Sequence, residues 1–120
     1  MEQLTLGEVA RSTAGALVRG DAHVAIEHVV TDSRPVAPPE SLFVALRGTN
    51  FDGHHYLADA AARGAIAAVV EAGREDAAAA FPHVIAVDDT TAALQRLAAA
   101  WRDRFDGVVV GITGSNGKTI

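Results

Sequence analysis

The chain has 120 residues, a hydrophobic fraction of 49%, no cysteine and a formal net charge of −5. That length is enough for about one domain, and the lack of cysteine excludes a disulfide framework and thiolate metal sites. The acidic balance, with no basic face, argues against polynucleotide partners.

Alanine accounts for 25 residues and buries little surface, so the core must rest on Val, Leu, Ile and the four Phe. The N-terminal stretch Met1-Glu2-Gln3-Leu4-Thr5-Leu6-Gly7-Glu8 carries acids where a signal peptide carries Lys or Arg. No apolar run reaches the length of a membrane span. A soluble, cytoplasmic protein is expected.

Thr5 and Glu8 have the spacing of a capping box. Leu6, Val9, Ala10, Ala14 and Leu17 then recur at helical spacing up to Gly20, which predicts a first helix over residues 6–19. Residues 24–30 are β-branched and predict a strand. Pro35, Pro38 and Pro39 make residues 31–40 a loop, because proline removes backbone donors. A second strand is expected over residues 42–46, followed by a polar turn from Arg47 to Asn50. A helix from His54 or His55 to Arg63 is closed by Gly64. Strands over residues 65–70 and 83–87 flank an Ala-rich surface segment. Asp88, Asp89 and Thr90 then offer caps for a helix reaching about Phe105, with Leu94, Leu97, Ala98 and Trp101 inward. An apolar strand over residues 107–112 leads into a glycine-rich loop. Strands alternating with helices imply an α/β fold with a partly parallel sheet. The domain boundary is expected near Asp88.

The loop Thr113-Gly114-Ser115-Asn116-Gly117-Lys118-Thr119 carries the clearest chemistry. Gly114 and Gly117 let successive backbone N–H groups converge on phosphate oxygens, and a helix beginning at Lys118 would favour negative charge at its N-terminus. Lys118 suits the β- and γ-phosphates, and the Thr119 hydroxyl suits Mg²⁺. The generic pattern has a further Gly five residues before Gly-Lys, where this chain has Ile112. A glycine-rich strand-to-helix turn without function is the competing reading.

Thr-Gly-Ser-Asn-Gly-Lys-Thr resembles the phosphate loop of the Mur ligases, ATP-dependent amide-forming enzymes of peptidoglycan assembly. Thr31-Asp32-Ser33-Arg34, Leu42-Phe43-Val44-Ala45-Leu46-Arg47-Gly48 and Phe51-Asp52-Gly53-His54 resemble the N-terminal domain of two members. One adds the third stem-peptide residue and the other adds D-alanyl-D-alanine; Ser-Asn in the loop and Phe-Asp-Gly-His favour the second. The resemblance implies a UDP-substrate domain with a mixed sheet over residues 1–87. Residues 88–120 would then begin a truncated Rossmann-like ATPase domain. It implies ATP and Mg²⁺ as cofactors, with Gly114, Ser115, Asn116, Gly117, Lys118 and Thr119 on the nucleotide and its metal, and Lys118 as the catalytic residue. It further implies UDP-N-acetylmuramoyl-tripeptide and D-alanyl-D-alanine as substrates, joined through an acyl phosphate, in an intact enzyme expected to be a monomer. The chain itself is expected to be inactive, because the other metal ligands, the modified lysine and the C-terminal domain would lie beyond Ile120.

Ser33, Arg34, Gly48, Thr49, Asn50, Asp52 and His54 are the candidate substrate contacts. Arg34 can donate two hydrogen bonds to a phosphate, but an Asp32–Arg34 surface pair is the plainer alternative. The residues from Gly48 to Asn50 can be a connecting turn, and Asp52 can be a helix cap. The five His show no helical zinc spacing, Asp88-Asp89 reads more simply as capping, and Trp101 as core. Two other readings are a UDP-sugar-peptide binding module without catalysis and a truncated interaction domain with a vestigial loop.

Overall fold

The computed structural model describes residues 4–33, 36–47, 52–104 and 112–113. In chain order it contains β1 (Leu4–Thr5), α1 (Leu6–Thr13), β2 (Ala16–Arg19), β3 (Ala25–Ile26), β4 (His28–Val30) and β5 (Ser41–Val44). A 3-10 turn (Gly53–Tyr56), α2 (Leu57–Ala62), β6 (Ala67–Glu71), a second 3-10 turn (Glu75–Ala78), β7 (His83–Val87), α3 (Thr90–Arg104) and β8 (Ile112–Thr113) follow. Strands β1 and β3 form a small antiparallel ribbon. The main sheet has the order β2-β7-β6-β5-β4-β8. Every neighbouring pair in it is parallel except β2 with β7.

Period-2 alternation sorts the strand side chains into two layers. Leu42, Val44, Ala67, Val69, Ile85 and Val87 join a core with Leu6 and Val9 of α1 and Leu94, Leu97 and Trp101 of α3. Phe43, Ala45, Ala68, Val70 and Val84 face the other way, toward Leu57 and Ala60 of α2, Ala78 and Phe81. A sheet covered on both faces needs apolar residues at successive positions, which explains the unbroken runs in β5, β6 and β7.

The capping box forms: the Thr5 backbone N–H donates to Glu8 Oε1 at 2.9 Å, and the Glu8 N–H donates to Thr5 Oγ1 at 3.2 Å. The first helix, however, ends at Thr13 rather than Arg19. Ala14 takes a left-handed conformation (φ 59°) that stops it, and residues 16–19 instead pair with β7. Gly15 makes this possible, because a Cβ there would lie 2.7 Å from Val87 Cγ1 and 2.8 Å from Ala86 O. The strand expected over residues 24–30 is two strands. The backbone breaks at Glu27, whose N–H and that of His28 both donate to the Glu40 carbonyl at 3.0 and 3.3 Å. The helix expected from His54 or His55 to Arg63 opens with a 3-10 turn, and Gly64 (φ +110°) closes it as expected. β7 has the predicted bounds. Asp89 caps α3, its Oδ1 accepting from the Thr91 N–H at 2.9 Å and the Ala92 N–H at 3.3 Å. Trp101 is 2% exposed, in the core.

The packing shows no break near Asp88. Ala93, Leu94, Leu97 and Trp101 share one core with α1 and the sheet, and Arg96 Nη1 donates to the Thr13 carbonyl at 3.4 Å. Among the described residues, no helix is long and apolar enough to cross a membrane.

Candidate functional site

Because β4, β5, β6, β7 and β8 run parallel, their carboxyl ends open on one edge of the sheet, the usual location of ligand sites in such folds. Ser33 stands three residues past β4, half-buried. Arg47 follows β5, Glu71 ends β6, and Asp88 and Asp89 follow β7. A cleft of about 270 Å³ at this edge is lined by Arg47, Glu71, Asp88, Asp89, Thr90 and Thr91. Arg34, Gly48, Thr49, Asn50 and the whole stretch from Gly114 to Thr119, Lys118 included, lie outside the described residues.

The chain on either side of residues 48–51 is pinned. Arg47 and Asp52 form an antiparallel bridge, and the Gly53 N–H donates to the Leu46 carbonyl at 2.6 Å. A Cβ at Gly53 would meet both Leu46 N and Leu46 O at 2.9 Å, so this approach requires glycine.

Asp52 is the hub of a polar network. Its Oδ1 accepts from the His54 backbone N–H at 3.0 Å, capping the 3-10 turn, and hydrogen-bonds His54 Nδ1 at 2.7 Å. Its Oδ2 accepts from Arg74 Nη1 at 2.6 Å. The His54 side chain has no exposed surface, and its Nε2 accepts from the Glu71 backbone N–H at 3.0 Å. The Glu71 carboxylate in turn pairs with Arg47 Nη2 at 3.3 Å. Burial by itself would raise the Asp52 pKa, but the hydrogen bonds from Arg74 and His54 outweigh it and hold the carboxyl well below the usual range.

Asp52 and His54, expected at a substrate wall, thus point their polar atoms into the protein, and the capping role of Asp52 is realised. Sequence reasoning missed Glu71 and Arg74. They sit 17 and 22 residues from their partners, and no local spacing signals a contact made by β5 lying beside β6.

The network carries a pH prediction. A carboxyl whose folded pKa is depressed contributes stability that is fully present above its unfolded value, about 3.9, and lost as pH falls through the folded value. Asp52→Asn keeps a capping side chain but removes the charge held by Arg74. It should cost about 1–3 kcal/mol near neutral pH, with the difference from the unaltered chain shrinking below about pH 4. Urea denaturation from pH 7 down to pH 3 measures it. A constant difference across that range would contradict the assignment.

Comparison with known proteins fits this geometry. A family profile described as "Mur ligase family, catalytic domain" matches residues 25–102. The chain belongs to the Mur ligase family. Among its Mur ligase relatives, the UDP-N-acetylmuramoyl-tripeptide–D-alanyl-D-alanine ligase of Synechocystis is 41% identical over 80% of the chain and 21% of that protein. The UDP-N-acetylmuramoyl-L-alanyl-D-glutamate–2,6-diaminopimelate ligase of Geobacter sulfurreducens is 42% identical over 97% of the chain and 23% of that protein. A crystal structure of MurF from Acinetobacter baumannii superposes with a TM-score of 0.72 at 30% identity, covering 87% of the chain and 22% of that Mur ligase. The chain therefore spans between a fifth and a quarter of the length of these relatives. The mixed α/β sheet is that of MurF structures.

Proposed function

We propose that the chain is the UDP-substrate-binding part, with the start of the ATP-binding part, of a cytoplasmic ligase. The intact enzyme would join D-alanyl-D-alanine to UDP-N-acetylmuramoyl-tripeptide through an acyl phosphate. The observation that carries the reading is the shared carboxyl edge: Ser33 after β4 and the cleft from Arg47 to Thr91 lie together where a parallel sheet receives ligands. Membership of the Mur ligase family supplies the substrate class.

Strand β8 pairs in parallel with β4, Thr113 opposite Val30. β8 thus ends at the same edge, directly before the loop sequence in the chain. Gly114, Ser115, Asn116, Gly117, Lys118 and Thr119 would hold ATP and Mg²⁺; ATP would supply the phosphoryl group that activates the substrate carboxylate, and Mg²⁺ would offset the phosphate charge. The part played by this chain is positioning: Ser33 and Arg34 and the turn from Gly48 to Asn50 orient the UDP end. We assign α3 to the UDP-substrate part, on the packing of Trp101 and its neighbours.

Calorimetric titration of the chain with UDP-N-acetylmuramoyl-tripeptide tests the reading. Saturable heat is expected, and its absence at high ligand would overturn the binding role. The second reading, the ligase that adds the third residue, draws on the comparable identity to the Geobacter relative. Titration with the dipeptide and tripeptide forms of the UDP substrate separates the two.

A further inference from the structure

The polar network beside the cleft contains one group that the substrate reading leaves unused, the buried His54 ring. We infer that His54, locked as the tautomer protonated at Nδ1, is a positioning residue that sets the Arg47–Glu71 wall of the cleft for the UDP-bearing substrate. This deepens the proposed function and rests on it.

The tautomer follows from donor counting. A backbone N–H only donates, so Nε2, 3.0 Å from the Glu71 N–H, must be the unprotonated nitrogen. Nδ1 then carries the proton and gives it to Asp52 Oδ1 at 2.7 Å. Asp52 is fixed in turn by Arg74 at 2.6 Å, so neither end of the ring is free to rotate. The ring ties the turn after β5 to the last residue of β6. Glu71 is the residue that holds Arg47 at 3.3 Å, and both line the cleft. Arg47 keeps 55% of its side chain exposed there, while Glu71 keeps 16%. His54 itself has no exposed surface, so its influence on a ligand passes through the residues it orients, Asp52 and Glu71, and through Glu71 to Arg47. Such outer partners, which orient the groups that meet the ligand, commonly decide how tightly a site binds.

Two amide replacements divide the functions of the ring. In His54→Gln the longer side chain can still place an oxygen near the Glu71 N–H. In His54→Asn the shorter one can still donate to Asp52 but cannot reach β6. Titration of each chain with UDP-N-acetylmuramoyl-tripeptide should show binding weakened about tenfold in His54→Asn, roughly 1.4 kcal/mol. The His54→Gln chain should stay within about threefold of the unaltered one, less than roughly 0.7 kcal/mol. A purely structural role would instead weaken both in step with their loss of thermal stability. Nitrogen-15 NMR of the unaltered chain reads the tautomer directly and needs no variant to fold. The expected pattern is a protonated Nδ1 and an unprotonated Nε2; the reverse overturns the inference. Equal, unweakened binding by both variants overturns the positioning role alone. Absence of binding by the unaltered chain overturns the substrate reading and the positioning role together, a result distinguishable from the other two.

Discussion

A chain ending at Val87 should fail to fold cooperatively, whereas one ending at Arg104 should give a single thermal transition. Cutting at Val87 removes α3 and with it Ala93, Leu94, Leu97 and Trp101, all buried against α1 and one face of the sheet. The strand residues left uncovered include Val69, Ile85 and Val87, each 3% exposed or less in the folded chain. Even the single change Trp101→Ala should cost about 3–5 kcal/mol, the range for truncating a large buried aromatic. Domains of this size hold only about 5–15 kcal/mol in total, so losing the whole helix exceeds what the remainder can supply. Circular dichroism melts of the two truncated chains and of Trp101→Ala measure the effect. Cooperative melting of the shorter chain at an undiminished temperature would support a boundary at Asp88.

The boundary expected near Asp88 rests on a local signal. Asp88-Asp89-Thr90 marks a helix start, and Asp89 does cap α3. A cap, however, says where an element begins and nothing about which core it joins. The same limit explains α1. Leu17 falls at helical spacing from Leu6, Val9 and Ala10, so periodicity extends the helix. The competing signal is Gly15, and it acts through Val87, Ala86 and Ile85, 70 or more residues away. Tertiary pairing with β7 overrides local propensity there. Elements whose instructions are local came through well: the Thr5–Glu8 box, the bounds of β7 and the inward face of α3.

The site divides along the same line. Ser33 and Arg47 stand at the carboxyl edge because polar residues directly after apolar strands come to lie there once those strands are parallel. The links that hold the edge together are not legible in this way. Asp52 reaches Arg74 and His54 reaches the Glu71 N–H only because β5 and β6 are neighbours in the sheet. The capping role of Asp52 is local, yet its second oxygen, the one that meets Arg74, has no signature in the local sequence. Sequence thus located the edge, and topology supplied its wiring.

In the proposed full-length ligase, Lys118→Ala should lower the turnover of amide formation by at least about 10²–10³-fold, the loss that follows removal of one preorganised donor to developing transition-state charge. The affinity for UDP-N-acetylmuramoyl-tripeptide should stay within about threefold, under roughly 0.7 kcal/mol. The split follows from the proposed division of tasks, with the residues after β4 and β5 on the UDP end and Lys118 on the phosphates. Ser33 follows β4 and Arg47 follows β5, whereas Lys118 lies five residues beyond Thr113, the end of β8. In the proposed role Lys118 would act as a point charge on phosphate oxygens, and its ammonium would serve phosphoryl transfer rather than hold the UDP end. Lys118→Arg keeps the charge but not the compact ammonium, so it should recover only part of the lost rate. Steady-state rates with saturating UDP substrate, set beside calorimetric affinities for the same variants, resolve the two effects. Unchanged turnover in Lys118→Ala would remove Lys118 from the reaction, and a parallel collapse of UDP-substrate affinity would mean that the loop serves the substrate domain instead.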